Sequence, residues 1–136
     1  MPTSALVLLA AAAVHLGFQL TVSLVVYPAL ADEPEDRWQR AHDAHSRRIT
    51  PVVIVVYGLL VGACAWAILA GPDRWTLIAV VAAAAAGLLT ALGAAPTHGR
   101  LGKGWSRELL GRLLWIDRGR TAVAVVCAVA AFLAAR

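Results

Sequence analysis

Glu35, Trp38, His42 and His45 follow one another at spacings of three, four and three in a polar stretch near the first apolar segment. On a helix that spacing stacks all four on one face. Such a face is ordinarily apolar and turned to a core; here it carries a carboxylate and two imidazoles. Histidines at i, i+3 reach one metal ion or one anionic group, much as carboxylate and histidine ligands do in metal-binding bundles. Imidazole suits iron, copper and zinc, and the lack of nearby cysteine argues against a thiolate zinc site. A third imidazole, His98, follows Pro96 and Thr97. His42, His45 and His98 are therefore candidate ligands for an iron or copper ion, with Glu35 as an outer partner or base. The competing reading is a solvated helix face with two ordinary surface histidines.

A second stripe lies in the first apolar segment. His15, Gln19, Ser23 and Tyr27 recur every four positions. Each step turns about 40° past a full circle, so all four share one broad face. A strongly polar side chain in hydrocarbon costs a few kcal/mol unless it faces the bundle interior. His15 and Tyr27 thus join Glu35 as candidate catalytic groups, and Gln19, Trp38 and Arg120 as candidate substrate-binding groups. The alternative is hydrogen bonding that holds helices together. Asp117 and Arg120 are i, i+3 neighbours and expected to pair; the functional alternative is an arginine that binds an anionic substrate or a lipid headgroup. His15 lies roughly 20 Å along straight helix from the polar end, so either the polar stretch dips into the bundle or there are two sites.

These groups need elements to position them, and composition says which. Of 136 residues, 60% are hydrophobic and 15% charged, with mean hydropathy +0.74. That is too apolar for a soluble domain, for a disordered chain or for a secreted disulfide scaffold. Stretches 1–31, 49–72, 75–97 and 121–135 lack Asp, Glu, Lys and Arg. A spanning helix needs about 20 apolar residues. The first three stretches meet that length, and the fourth must borrow Leu113, Leu114, Trp115 and Ile116. The expected fold is all-α: one integral membrane domain, 1–136, with helices at about 4–30, 49–71, 75–95 and 113–135. A short amphipathic helix is expected from Glu35, either separate or running into the second span, with Thr50-Pro51 a kink or fresh start. Gly71-Pro72 predicts a tight hairpin, and Ala95-Pro96 the end of the third helix. The first segment has no basic n-region and reads as a retained helix.

Ten of the 12 Lys and Arg residues fall in the first and third connections, leaving Arg74 and Arg136 on the other side. That bias predicts both connections on the cytoplasmic side of a bacterial inner membrane, with both termini outside. The net charge of +4 reflects this asymmetry; no basic run interleaved with stacking aromatics suggests nucleic acid. The five tryptophans read mostly as interfacial anchors, and Cys64 and Cys127 as small packing residues.

The chain resembles a group of small four-helix bacterial membrane proteins without an assigned function. The resemblance rests on Gln19 with Tyr27-Pro28, on His42-Asp43-Ala44-His45 followed by Arg48-Ile49-Thr50-Pro51, on Pro96, His98 and Leu101, and on Arg120-Thr121. More distantly it is similar to anthrone-oxygenase-like membrane proteins, through the four-span plan and Pro96-Thr97 with Leu101. That resemblance implies oxidation of a lipophilic, often aromatic, substrate. The expected function is thus a metal-dependent membrane oxidoreductase or oxygenase acting on a lipophilic small molecule, with a homo-oligomer as one expected state. Rivals are a haem or quinone electron carrier and a small proton-coupled transporter or accessory subunit.

Overall fold

A computed structural model describes residues 2–136. Four long helices make up nearly all of it: α1 (Thr3–Ala31), α2 (Glu35–Leu69), α3 (Arg74–Leu101) and α4 (Arg107–Ala134), with no strand among the described residues. The first three are long and apolar enough to cross a membrane. α4 has the length, but Glu108, Arg112, Asp117, Arg118 and Arg120 make its first half polar. Large apolar side chains on the outer faces, among them Leu24, Val61, Leu69, Val81 and Leu92, are exposed, as contact with lipid requires.

The boundaries follow local chemistry. Pro34 is extended and cannot continue a helix, and Glu35 and Asp36 then occupy the first turn of α2, where acids complement the exposed amides. Gly71 adopts φ +94°, a conformation glycine takes without penalty, and closes the hairpin after α2. Asp73 caps α3 by accepting the Thr76 amide at 2.8 Å, which holds its carboxyl below the usual range. Ser106 caps α4 by accepting the Leu109 amide.

Three sequence expectations need correction. Of the two forms open to the polar stretch, the separate short helix is not found: α2 runs unbroken from Glu35 through Pro51 to Leu69. Pro51 is exposed, so the lost hydrogen bond lies on the outer face and the ladder continues either side. Pro96 does not end α3, which continues to Leu101, and α4 starts at Arg107 rather than near 113. α1 and α3 share a device: π-helical turns at Val22–Val26 and Leu89–Ala94, each ending two residues before a proline. Proline lacks the N–H for the preceding turn and its ring crowds that turn's carbonyl; a widened turn absorbs both defects. The wider turn also offsets the rotational drift of the α1 stripe, so Tyr27 stays on the inner face with His15, Gln19 and Ser23.

Two clusters form the core. At the end holding the α2–α3 hairpin, Leu8, Ala12, Leu60, Ala79, Ala83, Cys127 and Ala131 pack closely, and both cysteines are free. α3 contributes Ala79, Ala82, Ala83 and Ala86 against α4, the close approach that small residues permit. At the other end the core is aromatic and aliphatic: Val22, Tyr27, Leu30, Trp38, Leu101 and Leu113. Trp38 is only 1% exposed, and its indole N–H donates to the Leu101 carbonyl at 3.2 Å, tying α2 to the end of α3. Gln39 repeats that tie by donating to the Gly102 carbonyl at 2.6 Å. Trp38→Phe is expected to cost about 1 kcal/mol for the lost hydrogen bond, and Trp38→Ala about 3–5 kcal/mol for the cavity. Denaturation of the purified protein in detergent measures both.

Candidate functional site

The end of the bundle away from the hairpin gathers aromatic rings from three helices. His98, on α3, is the hub. Its Nδ1 lies 3.2 Å from Nε2 of His42, and its Nε2 lies 3.0 Å from the Tyr27 hydroxyl. The His98 ring is 5.4 Å from that of His42 and stacks on that of His45 at 5.6 Å. Trp38 stacks on His42 at 5.5 Å. Tyr27 comes from α1, His42 and His45 from one face of α2. With the Tyr27 hydroxyl donating, His98 donates in turn to His42; with the opposite tautomers the chain runs the other way.

A buried charged network adjoins these rings. Asp117 on α4 accepts from the Gln19 amide at 2.7 Å and from the Ser23 hydroxyl at 2.6 Å. Thr121 lies 2.8 Å from that same hydroxyl. The Arg120 guanidinium is 3.8 Å from Asp117 and donates to the Tyr27 hydroxyl at 3.5 Å, joining the two networks. The expected Asp117–Arg120 pair therefore forms, with both side chains buried.

Beside these groups lies a cavity of about 480 Å³. Tyr27, His42, His45, His98 and Arg120 contribute much of its polar lining, and Phe18, Val22, Ile49, Val53 and Ile54 much of its apolar wall. Gly102 closes against His42; a Cβ added there would stand 3.5 Å from the imidazole.

The structure brings Tyr27, His42, His45, His98 and Arg120 to one cavity, and places the remaining candidates elsewhere. Glu35 is exposed in the first turn of α2, where the helix dipole favours it, and does not line the cavity. Trp38 joins the core behind His42 instead of lining the cavity, so it is no interfacial anchor either. Gln19 is buried against Asp117. His15 is fully buried beside Tyr57, with ring centroids 5.0 Å apart, and neither of its nitrogens has a protein partner. Of the two arrangements left open by its depth, the separate location is the one found. Tyr57 in turn lies 2.7 Å from the Thr90 hydroxyl.

Sequence reading did not single out Asp43, Ser46 or Thr90, which also line the cavity. Ser46 had a usable signal, lying four residues after His42 on the same helical face. Thr90 had none, since its position depends on the π-helical turn of α3.

No family model matches this chain, and neither does any curated protein or solved structure.

The three imidazoles do not fit a metal ion as they stand. Among the described residues no group of three or more His, Cys, Asp or Glu is arranged to hold one. His98 has a near neighbour at each of its nitrogens, His42 at one and Tyr27 at the other.

Proposed function

We propose that this protein is an integral membrane oxidoreductase acting on a lipophilic small molecule held in the cavity beside His98. In this reading all four helices span a bacterial inner membrane, with the imidazole end at the cytoplasmic face. The basic residues gathered in the first and third connections support that orientation. One observation carries the reading: an apolar-walled cavity of about 480 Å³ has its acid–base groups gathered in one polar part. Ligand pockets generally have that character, a mostly apolar lining with a few convergent polar groups.

Removing two hydrogens needs an external two-electron acceptor such as a quinone, and inserting one oxygen needs dioxygen with two electrons from an external donor. Either way protons move with the electrons, and this chain's residues carry the protons. Tyr27, His98 and His42 form a chain in which each hydrogen bond can be reversed by a tautomer change. A proton taken at Tyr27 is passed through His98 to His42, whose Nδ1 has no hydrogen-bond partner and lies 3.9 Å from the half-exposed Asp43 carboxylate. That outlet supports proton exchange with water. The test is untargeted mass spectrometry of lipid extracts from membranes with and without the protein. A pair of lipophilic species differing by two hydrogens or one oxygen, whose ratio depends on the protein, is the expected result. Identical extracts end the proposal.

A second reading adds iron or copper on His42, His45 and His98. What favours it is the close spacing of the three rings around His98. It requires the His42–His98 hydrogen bond to open. Elemental analysis decides it: stoichiometric metal, lost in a His42→Ala, His45→Ala double variant, is the expected result. Metal-free protein that still converts the lipophile refutes this second reading.

A further inference from the structure

We propose that the lipophile carries a carboxylate head group, that Arg120 receives it, and that the molecule reaches the cavity sideways from the bilayer between α2 and α3. The proposal rests on the cavity being a lipophile site and names the chemical class it takes.

Arg120 is the under-used group in the polar part. Its side chain is buried to 3% exposure and lines the cavity. A guanidinium offers five N–H donors in a planar fork and is never neutral. Here its protein partners are one long hydrogen bond to Tyr27 at 3.5 Å and one 3.8 Å approach to Asp117, while Nε has none. Asp117 is satisfied by others, at 2.7 Å from Gln19 and 2.6 Å from Ser23. A buried cation this poorly matched is costly unless something else accepts from it. An exogenous carboxylate, planar and two-oxygened, fits the fork bidentately. Tyr27 stands beside Arg120, and its single hydroxyl proton is free for the head group in the tautomer in which His98 donates to the Tyr27 oxygen. Asp43, at the half-exposed edge of the cavity, repels an anion there and favours the head group turning toward Arg120.

The portal is read from exposure. Thr50 and Ile54 lie one turn apart on α2, and Ala95 and Gly99 one turn apart on α3; all four line the cavity and all four are exposed. Ile54 is 67% exposed, which for isoleucine at this height of α2 means contact with acyl chains. The cavity therefore communicates with the outer face of the bundle between these two pairs, and an apolar tail can remain there while the head reaches Arg120.

The test uses the detergent-purified full chain and cis-parinaric acid, a fluorescent polyene fatty acid, against its methyl ester, at a pH where the acid is ionised. The acid is expected to bind about tenfold or more tighter than the ester. In Arg120→Gln the preference is expected to vanish, and in Arg120→Lys to persist in part. The acid–ester comparison on the unaltered protein stands even if a variant fails to fold. Equal binding of acid and ester overturns the head-group assignment and leaves the lipophile site intact. Binding of neither overturns both.

Discussion

Asp117→Ala is expected to lower the stability of the folded protein by about 3–5 kcal/mol, because it strands a buried arginine. Asp117 and Arg120 are both buried and 3.8 Å apart. The carboxylate also receives the Gln19 amide and the Ser23 hydroxyl, so one truncation leaves α1 and α4 with unpaired polar groups facing each other. The loss is measured as the shift in the unfolding transition of detergent-solubilised protein. The same principle predicts that Asp117→Leu combined with Arg120→Leu recovers the part of the loss due to the stranded arginine, while the Gln19 amide and Ser23 hydroxyl still lack their acceptor. The double variant is also expected to lose its discrimination between fatty acid and ester. A single Asp117→Ala variant as stable as the parent means that the Asp117 carboxylate does not hold α1 to α4 through Gln19 and Ser23.

How much of this was legible beforehand depends on whether the signal was local. The Asp117–Arg120 pair is an i, i+3 relation on one helix and could be read directly. The α1 stripe was legible because polar side chains in an apolar segment have few tolerable directions. The gathering of His42, His45 and His98 was read from two connections expected on one side, and the structure does place those rings together. The role of Trp38 was not legible: its indole is set by the Leu101 carbonyl, which arrives only because α3 continues past Pro96. The two π-helical turns explain most of the remaining differences. Proline reads as a stop signal in sequence, whereas in α1 and α3 a widened turn carries the helix past it. That widening keeps Tyr27 on the inner face and carries His98 to it. Glu35 was misplaced for a different reason. Spacing along a helix fixes which face a residue shares but not how far the partner helices extend to cover it. The first turn of α2 stays exposed while Trp38, one turn on, is buried.

His98 is the residue whose loss is expected to affect chemistry most. Its two nitrogens join Tyr27 to His42 by hydrogen bonds. His98→Gln keeps a polar side chain of similar reach but cannot take a proton at one atom and release it at another. If His98 is the shuttle, conversion of the lipophile is expected to fall about 10²–10⁴-fold, the usual contribution of a positioned acid–base group. The fall is read from the protein-dependent mass pair in lipid extracts. Binding of cis-parinaric acid is expected to change little, because Arg120 and the apolar wall are untouched, and that separates a lost proton step from a collapsed cavity. Tyr27→Phe removes the first link and is expected to reduce conversion in the same direction, with acid binding weakened as well because the head group loses the tyrosine donor. Unchanged conversion in His98→Gln excludes the chain as the proton route and leaves the imidazoles as packing around a binding site.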